Sequence, residues 1–164
     1  NHKDAISAPS TEENHQEPVL SIAQQESNST LPALESANEK SNTQQILLVE
    51  DNKNNSRLIS LMIKKLGYGV HCCYNGQQAL DAISATPNAW DLIIMDMKMP
   101  VMDGCTAARR IRDLAYTKPI LALSANASVQ DRKDCLESGY NDFANKPIVK
   151  AKVAELISSH LKLS

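Results

Sequence analysis

Residues 91–104 read Asp-Leu-Ile-Ile-Met-Asp-Met-Lys-Met-Pro-Val-Met-Asp-Gly. Leu92 to Met95 form an apolar run without polar alternation, which is how a strand buried on both faces reads. The run stops at Asp96. Pro100 and the Asp103-Gly104 pair then break the chain before a helical pattern over 103–114.

The same order recurs on both sides. Strands are predicted over 46–49, 70–74, 91–95, 119–123 and 141–145. Helices are predicted over 56–66, 77–84, 103–114, 129–138 and 149–161, with Gly67 and Gly139 as residues that end a helix. Five strands alternating with five helices call for a parallel sheet covered on both faces. Right-handed crossovers make a doubly wound α/β fold the economical solution. Sites in such folds lie at the carboxyl ends of the strands.

Composition narrows the function. The chain has 164 residues, 42% hydrophobic and 22% charged, with one Trp, four Tyr and one Phe. Any core must be aliphatic. The formal net charge of −2 argues against a duplex-DNA binder, so no nucleic-acid partner is expected. No apolar run approaches the ~18–20 residues of a membrane helix, so no membrane contact is expected from this chain. Cys72, Cys73, Cys105 and Cys135 make no CxxC pair, which fits a reducing cytosol better than a disulfide framework or a zinc site. The first 20 residues lack the basic start and apolar stretch of a signal peptide. The chain starts at Asn1, and the expectation is a piece of a longer protein.

Charge is unevenly spread. Residues 1–44 hold Lys3 and Lys40 against seven acidic residues, net −5, which leaves net +3 for residues 45–164. The first segment is rich in Ser, Asn, Gln and Glu, and its few apolar residues have no sustained period. It is read as a disordered polar linker, 1–44, ahead of a single domain, 45–164.

The strand ends carry the chemistry. Glu50 and Asp51 follow strand 1, Asp96 follows strand 3, Ser124 ends strand 4, and Lys146-Pro147 follow strand 5. Singly, each has a plain role: Asp51 as a helix cap, Asp96 as a turn cap, Ser124 in a local turn bond, Lys146 as a solvated charge. Together, three carboxylates brought to one edge repel, by about 4 kcal/mol per pair ~4 Å apart at an effective dielectric of ~20. A divalent cation relieves this, and carboxylates with waters and a backbone carbonyl suit Mg²⁺. Lys146 and the Ser124 hydroxyl add the positive charge and hydrogen bond that a transferring phosphoryl group needs.

The motifs ILLVEDN (46–52), DLIIMDMKMPVMDG (91–104), ILALSANA (120–127) and DFANKP (142–147) resemble the receiver domain of two-component response regulators. The resemblance covers about residues 45–163. It implies a flavodoxin-like receiver fold with strand order 2-1-3-4-5. It implies that Asp96 accepts a phosphoryl group from a phosphohistidine. Asp51 and Asp96 would bind Mg²⁺ directly with the Lys98 carbonyl, and Glu50 would hold metal-bound water. Ser124 and Lys146 stand at the family's hydroxyl and lysine positions, with a cis Lys146–Pro147 bond. Phe143 falls on the switch-aromatic position and is expected to be substantially buried, with the surface of helix 4, strand 5 and helix 5 changing on phosphorylation. The motifs are most like receivers of hybrid sensor histidine kinases, so the implied partner is a histidine kinase or a histidine phosphotransfer domain, with a parent that can be a membrane sensor. No phospho-acceptor histidine motif is found: His2, His15, His71 and His160 read as surface residues.

Two other classes share the fold. An aspartyl-phosphate phosphatase needs a second Asp two residues after the first, where this chain has Lys98. A flavin-binding carrier needs a Ser/Thr/Gly-rich loop after strand 1, where this chain has Glu50-Asp51-Asn52. On helix 1, Ile59, Met62, Ile63 and Leu66 share an arc of about 100° for the core, while Leu58 and Leu61 fall outside it. Leu58, with Asn55 nearer the site, is read as a docking surface for the phosphohistidine helix.

Overall fold

The computed structural model describes residues 43–126 and 128–162. Of the segment read as a linker, all but its last two residues lies outside the described residues.

Five strands, β1 (Gln45–Val49), β2 (Gly69–Cys73), β3 (Leu92–Asp96), β4 (Ile120–Ser124) and β5 (Asp142–Asn145), alternate with five helices. These are α1 (Lys53–Lys65), α2 (Gly76–Ala85), α3 (Gly104–Asp113), α4 (Val129–Glu137) and α5 (Lys150–His160). The sheet is parallel throughout in the order β2-β1-β3-β4-β5, the expected doubly wound arrangement.

Side-chain alternation along the strands divides the core. Ile46, Leu48, Leu92, Ile94, Leu121 and Leu123 face α1 and α5, meeting Ile59, Ile63, Val153, Leu156 and Ile157. Leu47, Val49, Ile93, Met95, Ile120 and Ala122 face α2, α3 and α4, meeting Ala79, Ile83, Ala107, Ala108, Ile111 and Cys135. β3 and β4 are buried along their whole length, which is why their sequences are unbroken apolar runs. Helix α4 buries only Cys135.

Local chemistry sets the helix ends. Helix α1 begins at Lys53, earlier than the apolar pattern predicts. Asn52 is its cap, with Oδ1 accepting from the Asn54 and Asn55 amides at 3.0 and 3.2 Å. Its first turn is wholly polar, so periodicity could not reveal it. Gly67 and Gly139 end α1 and α4 at φ of 92° and 98°, as read. Ala115 does the same after α3 at φ 60°, where no glycine announces it. At the pole opposite the strand ends, the Arg112 guanidinium donates to the Tyr116, Lys118 and Gly139 carbonyls and to Asn141 Oδ1 at 2.7–2.9 Å. It ties the end of α3 to the starts of β4 and β5.

Candidate phosphoryl-acceptor site

The carboxyl ends of β1, β3 and β4 and the segment after β5 meet at one edge. Glu50 leaves β1 fully buried, its Oε1 accepting from the Asn52 amide at 3.1 Å. Because Asn52 caps α1, Asp51 is not needed as the cap and stands exposed at the rim. Asp96 is the last residue of β3 and 5% exposed. Its Oδ1 accepts from the Lys98 amide at 3.1 Å. Glu50, Asp51 and Asp96 each offer one carboxylate oxygen within 4.8 Å of the others. At that spacing a pair of charges repels by about 3 kcal/mol at an effective dielectric of ~20.

Lys146 relieves part of this repulsion. Its Nζ lies 2.6 Å from Asp96 Oδ2 in a hydrogen bond and 2.6 Å from Glu50 Oε2. The ammonium thus bridges the two buried carboxylates. Burial pushes the Glu50 carboxyl above its ordinary range, and the charge on Asp96 adds to this. Lys146 and the Asn52 amide pull the other way without cancelling it. For Lys146, burial works to lower the ammonium's pKa, but Asp96 and Glu50 outweigh it and the net shift is upward.

The donor set suits a hard divalent cation. It consists of three carboxylates, two buried and one on the exposed rim, against the single positive charge of Lys146. Gly104 sits where a Cβ would run into the Asp96 carbonyl and the Tyr140 hydroxyl, so its lack of a side chain lets α3 close on the end of β3.

Ser124 ends β4 with its hydroxyl committed locally, donating to the Asn126 carbonyl at 2.6 Å and accepting from the Asn126 amide at 3.2 Å. The Lys146 amide donates to the Ser124 carbonyl at 2.7 Å, joining the last two site segments, and the Lys146–Pro147 bond is cis. Phe143, on β5, is partly exposed and packs against the core, in keeping with the expectation of substantial burial. The Arg132 guanidinium lies over its ring, 4.5 Å from the centroid. Spacing could not foresee that contact, because it joins α4 to β5. Asn55 and Leu58 are exposed, Leu58 at 53%. They line a groove of about 310 Å³ that continues to Lys146, Pro147 and Ile148. His160 is half-buried against Asp142 at 3.2 Å, while His71 is exposed on edge strand β2.

Comparison with known proteins agrees with this geometry. The response regulator receiver domain family matches residues 46–158. Hybrid signal transduction histidine kinase M of Dictyostelium discoideum is 38% identical over 117 residues, 68% of this chain and 5% of that protein. The osmosensing histidine protein kinase SLN1 of Saccharomyces cerevisiae is 38% identical over 119 residues, 70% of this chain and 10% of that protein. The chain thus spans a small fraction of these relatives. The receiver domain of sensor histidine kinase PA1611 from Pseudomonas aeruginosa, solved with a magnesium ion coordinated in the active site cleft, superposes with a TM-score of 0.66. It is 41% identical, covering 72% of this chain and 97% of that one. The receiver domain of Ssk1, solved with the histidine phosphotransfer protein Ypd1 of S. cerevisiae, gives a TM-score of 0.67 at 28% identity, covering 72% and 88%. In fold, motifs and the grouping of acidic residues at the strand ends, this chain belongs to the response regulator receiver domain family of two-component signalling.

Proposed function

We propose that Asp96 accepts a phosphoryl group from a phosphohistidine. The observation that carries this reading is the Lys146 ammonium held 2.6 Å from Asp96 at the end of β3, with Glu50 at the same distance on its other side. A carboxylate oxygen of Asp96 forms the new O–P bond as the N–P bond breaks, and the imidazole nitrogen leaves with the electron pair. Lys146 stands ready to neutralise charge on the transferred group. Glu50, Asp51 and Asp96, with the Lys98 carbonyl, are the residues to hold Mg²⁺. Bound there, the ion offsets the carboxylates' repulsion and supplies positive charge to the phosphoryl oxygens. Ser124 then gives up its local bond to Asn126 for a phosphoryl oxygen, and Phe143 moves toward the space behind it. The surface of α4, β5 and α5 changes as a shift between populated states.

The partner is a histidine kinase or histidine phosphotransfer domain. Its helix would lie on Leu58 and Asn55, and the groove from there to Lys146 points its histidine toward Asp96. The parent we infer is a hybrid histidine kinase with this domain on the cytoplasmic side. In support, among the described residues no helix is long and apolar enough to cross a membrane, and the four cysteines are free. Residues 1–44 serve as the tether.

Incubation with Mg²⁺ and either a phosphohistidine protein or acetyl phosphate, followed by borohydride trapping and mass spectrometry, tests the chemistry. One phosphoryl group is expected, on Asp96, and none in Asp96→Asn. A label on another residue, or labelling that survives removal of Mg²⁺, overturns it.

A further inference from the structure

Phe143 poses a question of balance. Its ring, on an edge strand, packs against the core on one side and keeps part of its surface exposed on the other. Unlike a tyrosine, it has no hydroxyl to hold it at the surface. A contact on the exposed side of the ring therefore bears on where the ring sits.

That contact is Arg132. Its guanidinium lies 4.5 Å from the ring centroid, within the ~6 Å over which a cation is drawn to an aromatic face. Oδ2 of the neighbouring Asp131 accepts from the Ser128 hydroxyl at 2.6 Å and amide at 3.2 Å, and among the described residues no ion pair joins this carboxylate to Arg132. Arg132 and Phe143 also line one narrow hollow with Met97, Ser124, Asp131 and Cys135. The hollow has no room for a water, so a movement of the ring toward Ser124 requires its lining side chains to shift.

We propose that Arg132 is a positioning residue that latches Phe143 in this partly exposed position through its ring face and so sets how readily this receiver enters its phosphorylated conformation. The inference rests on the reading of Phe143 as the moving aromatic. A cation over an exposed ring biases a two-state equilibrium by about two- to five-fold. By linkage, an anion that favours the inward state should bind that much more tightly once the latch is removed.

The sign separates this from simple attraction. Arg132 acting only as a positive charge near an anion site would favour binding, and its loss would weaken it. The test measures beryllofluoride affinity by calorimetry at saturating Mg²⁺ on the full chain, Arg132→Gln, Phe143→Leu and the double variant. Amide chemical shifts of α4 and β5 are followed in parallel. Arg132→Gln is expected to tighten binding about two- to five-fold, and to lose that gain in the Phe143→Leu background. Unchanged or weakened binding in Arg132→Gln, or an equal gain in both backgrounds, overturns the latch. If Phe143→Leu alters neither affinity nor the α4 and β5 shifts on binding, the reading of Phe143 as the switch fails. If it alters them and Arg132→Gln changes nothing, the latch alone fails.

Discussion

Lys146 Nζ and Asp96 Oδ2 stand 2.6 Å apart, and the same ammonium stands 2.6 Å from Glu50. One cation thus serves two buried carboxylates. Removing one partner of a buried pair leaves an uncompensated charge, a loss of about 3–5 kcal/mol when fully buried. Lys146 is partly exposed, so Lys146→Met should lose about 2–3 kcal/mol in thermal melts with chelator present. Added Mg²⁺ should then raise the melting temperature of Lys146→Met more than that of the parent. An equal Mg²⁺ response in the two would mean that the ammonium does not hold the carboxylates together.

Asp51 and Asn52 are adjacent and do different things. Asn52→Ala should cost about 1 kcal/mol by uncapping α1 while leaving Mg²⁺ affinity nearly intact. Asp51→Ala should weaken Mg²⁺ binding and leave metal-free stability unchanged or slightly raised, within about 0.5 kcal/mol. Urea titrations and Mg²⁺ titrations of both variants check the pair of outcomes. Loss of metal-free stability in Asp51→Ala would return the capping role to that residue.

Leu58 is a surface leucine at the mouth of the groove. Leu58→Asp should slow phosphotransfer from a phosphohistidine protein by tenfold or more, on the order of a docking contact worth ~1.4 kcal/mol. Labelling by acetyl phosphate should be untouched, because the small donor needs no docking. A parallel fall in both rates would mean that the substitution disturbs the site itself rather than docking, and no fall in either would move the docking surface elsewhere.

Val101 holds a φ of 72° between Pro100 and Met102, in a tight turn where the Met102 amide reaches the Pro100 carbonyl at 2.9 Å. A β-branched residue there stores about 1–3 kcal/mol of strain, and its side chain, 83% exposed, gains little in packing. Val101→Gly relieves the strain but adds freedom to the unfolded chain, for a net gain of about 0.5–1 kcal/mol. A urea midpoint that rises at constant slope is the expected result. A lower midpoint would refute the claim of strain.

Asp103 caps α3. Burial pushes its carboxyl upward, but the Thr106 amide and hydroxyl, bonded at 2.9 and 2.7 Å, and nearby backbone amides outweigh this and hold it below its ordinary range. A depressed carboxyl contributes stability that is complete above its unfolded pKa of about 3.9 and is lost as pH falls through the lower folded value. Asp103→Asn keeps an oxygen cap without the titration. Its stability relative to the parent should therefore improve as pH drops from 5 toward 2. A gap constant across that range would show that the cap's charge does not matter.

Much of this molecule could be read before any coordinates. The apolar runs of β1, β3 and β4 reveal their burial because each is covered on both faces, and the strand ends then nominate Glu50, Asp51, Asp96, Ser124 and Lys146. What stayed hidden was of three kinds. Asp51 and Asn52 are both good caps, and only the path of the turn decides between them. The Arg132–Phe143 stack, the Arg112 clamp and the Lys146 bridge join residues whose proximity depends on strand order and side-chain reach, which no local period encodes. Ala115 escaped notice because its left-handed turn is imposed by its surroundings rather than by its own side chain.

Helix α4 sinks a single side chain, Cys135, into the core, whereas α1 sinks four. Its free energy of opening is therefore set mainly by its Ser128 cap and its own hydrogen bonds. Amide protons along 129–137 should exchange through a local opening well below the global unfolding free energy, while those of β3 and β4 exchange only when the whole sheet comes apart. A helix so loosely anchored is inexpensive to re-seat, and the rest of the sheet does not depend on where it sits.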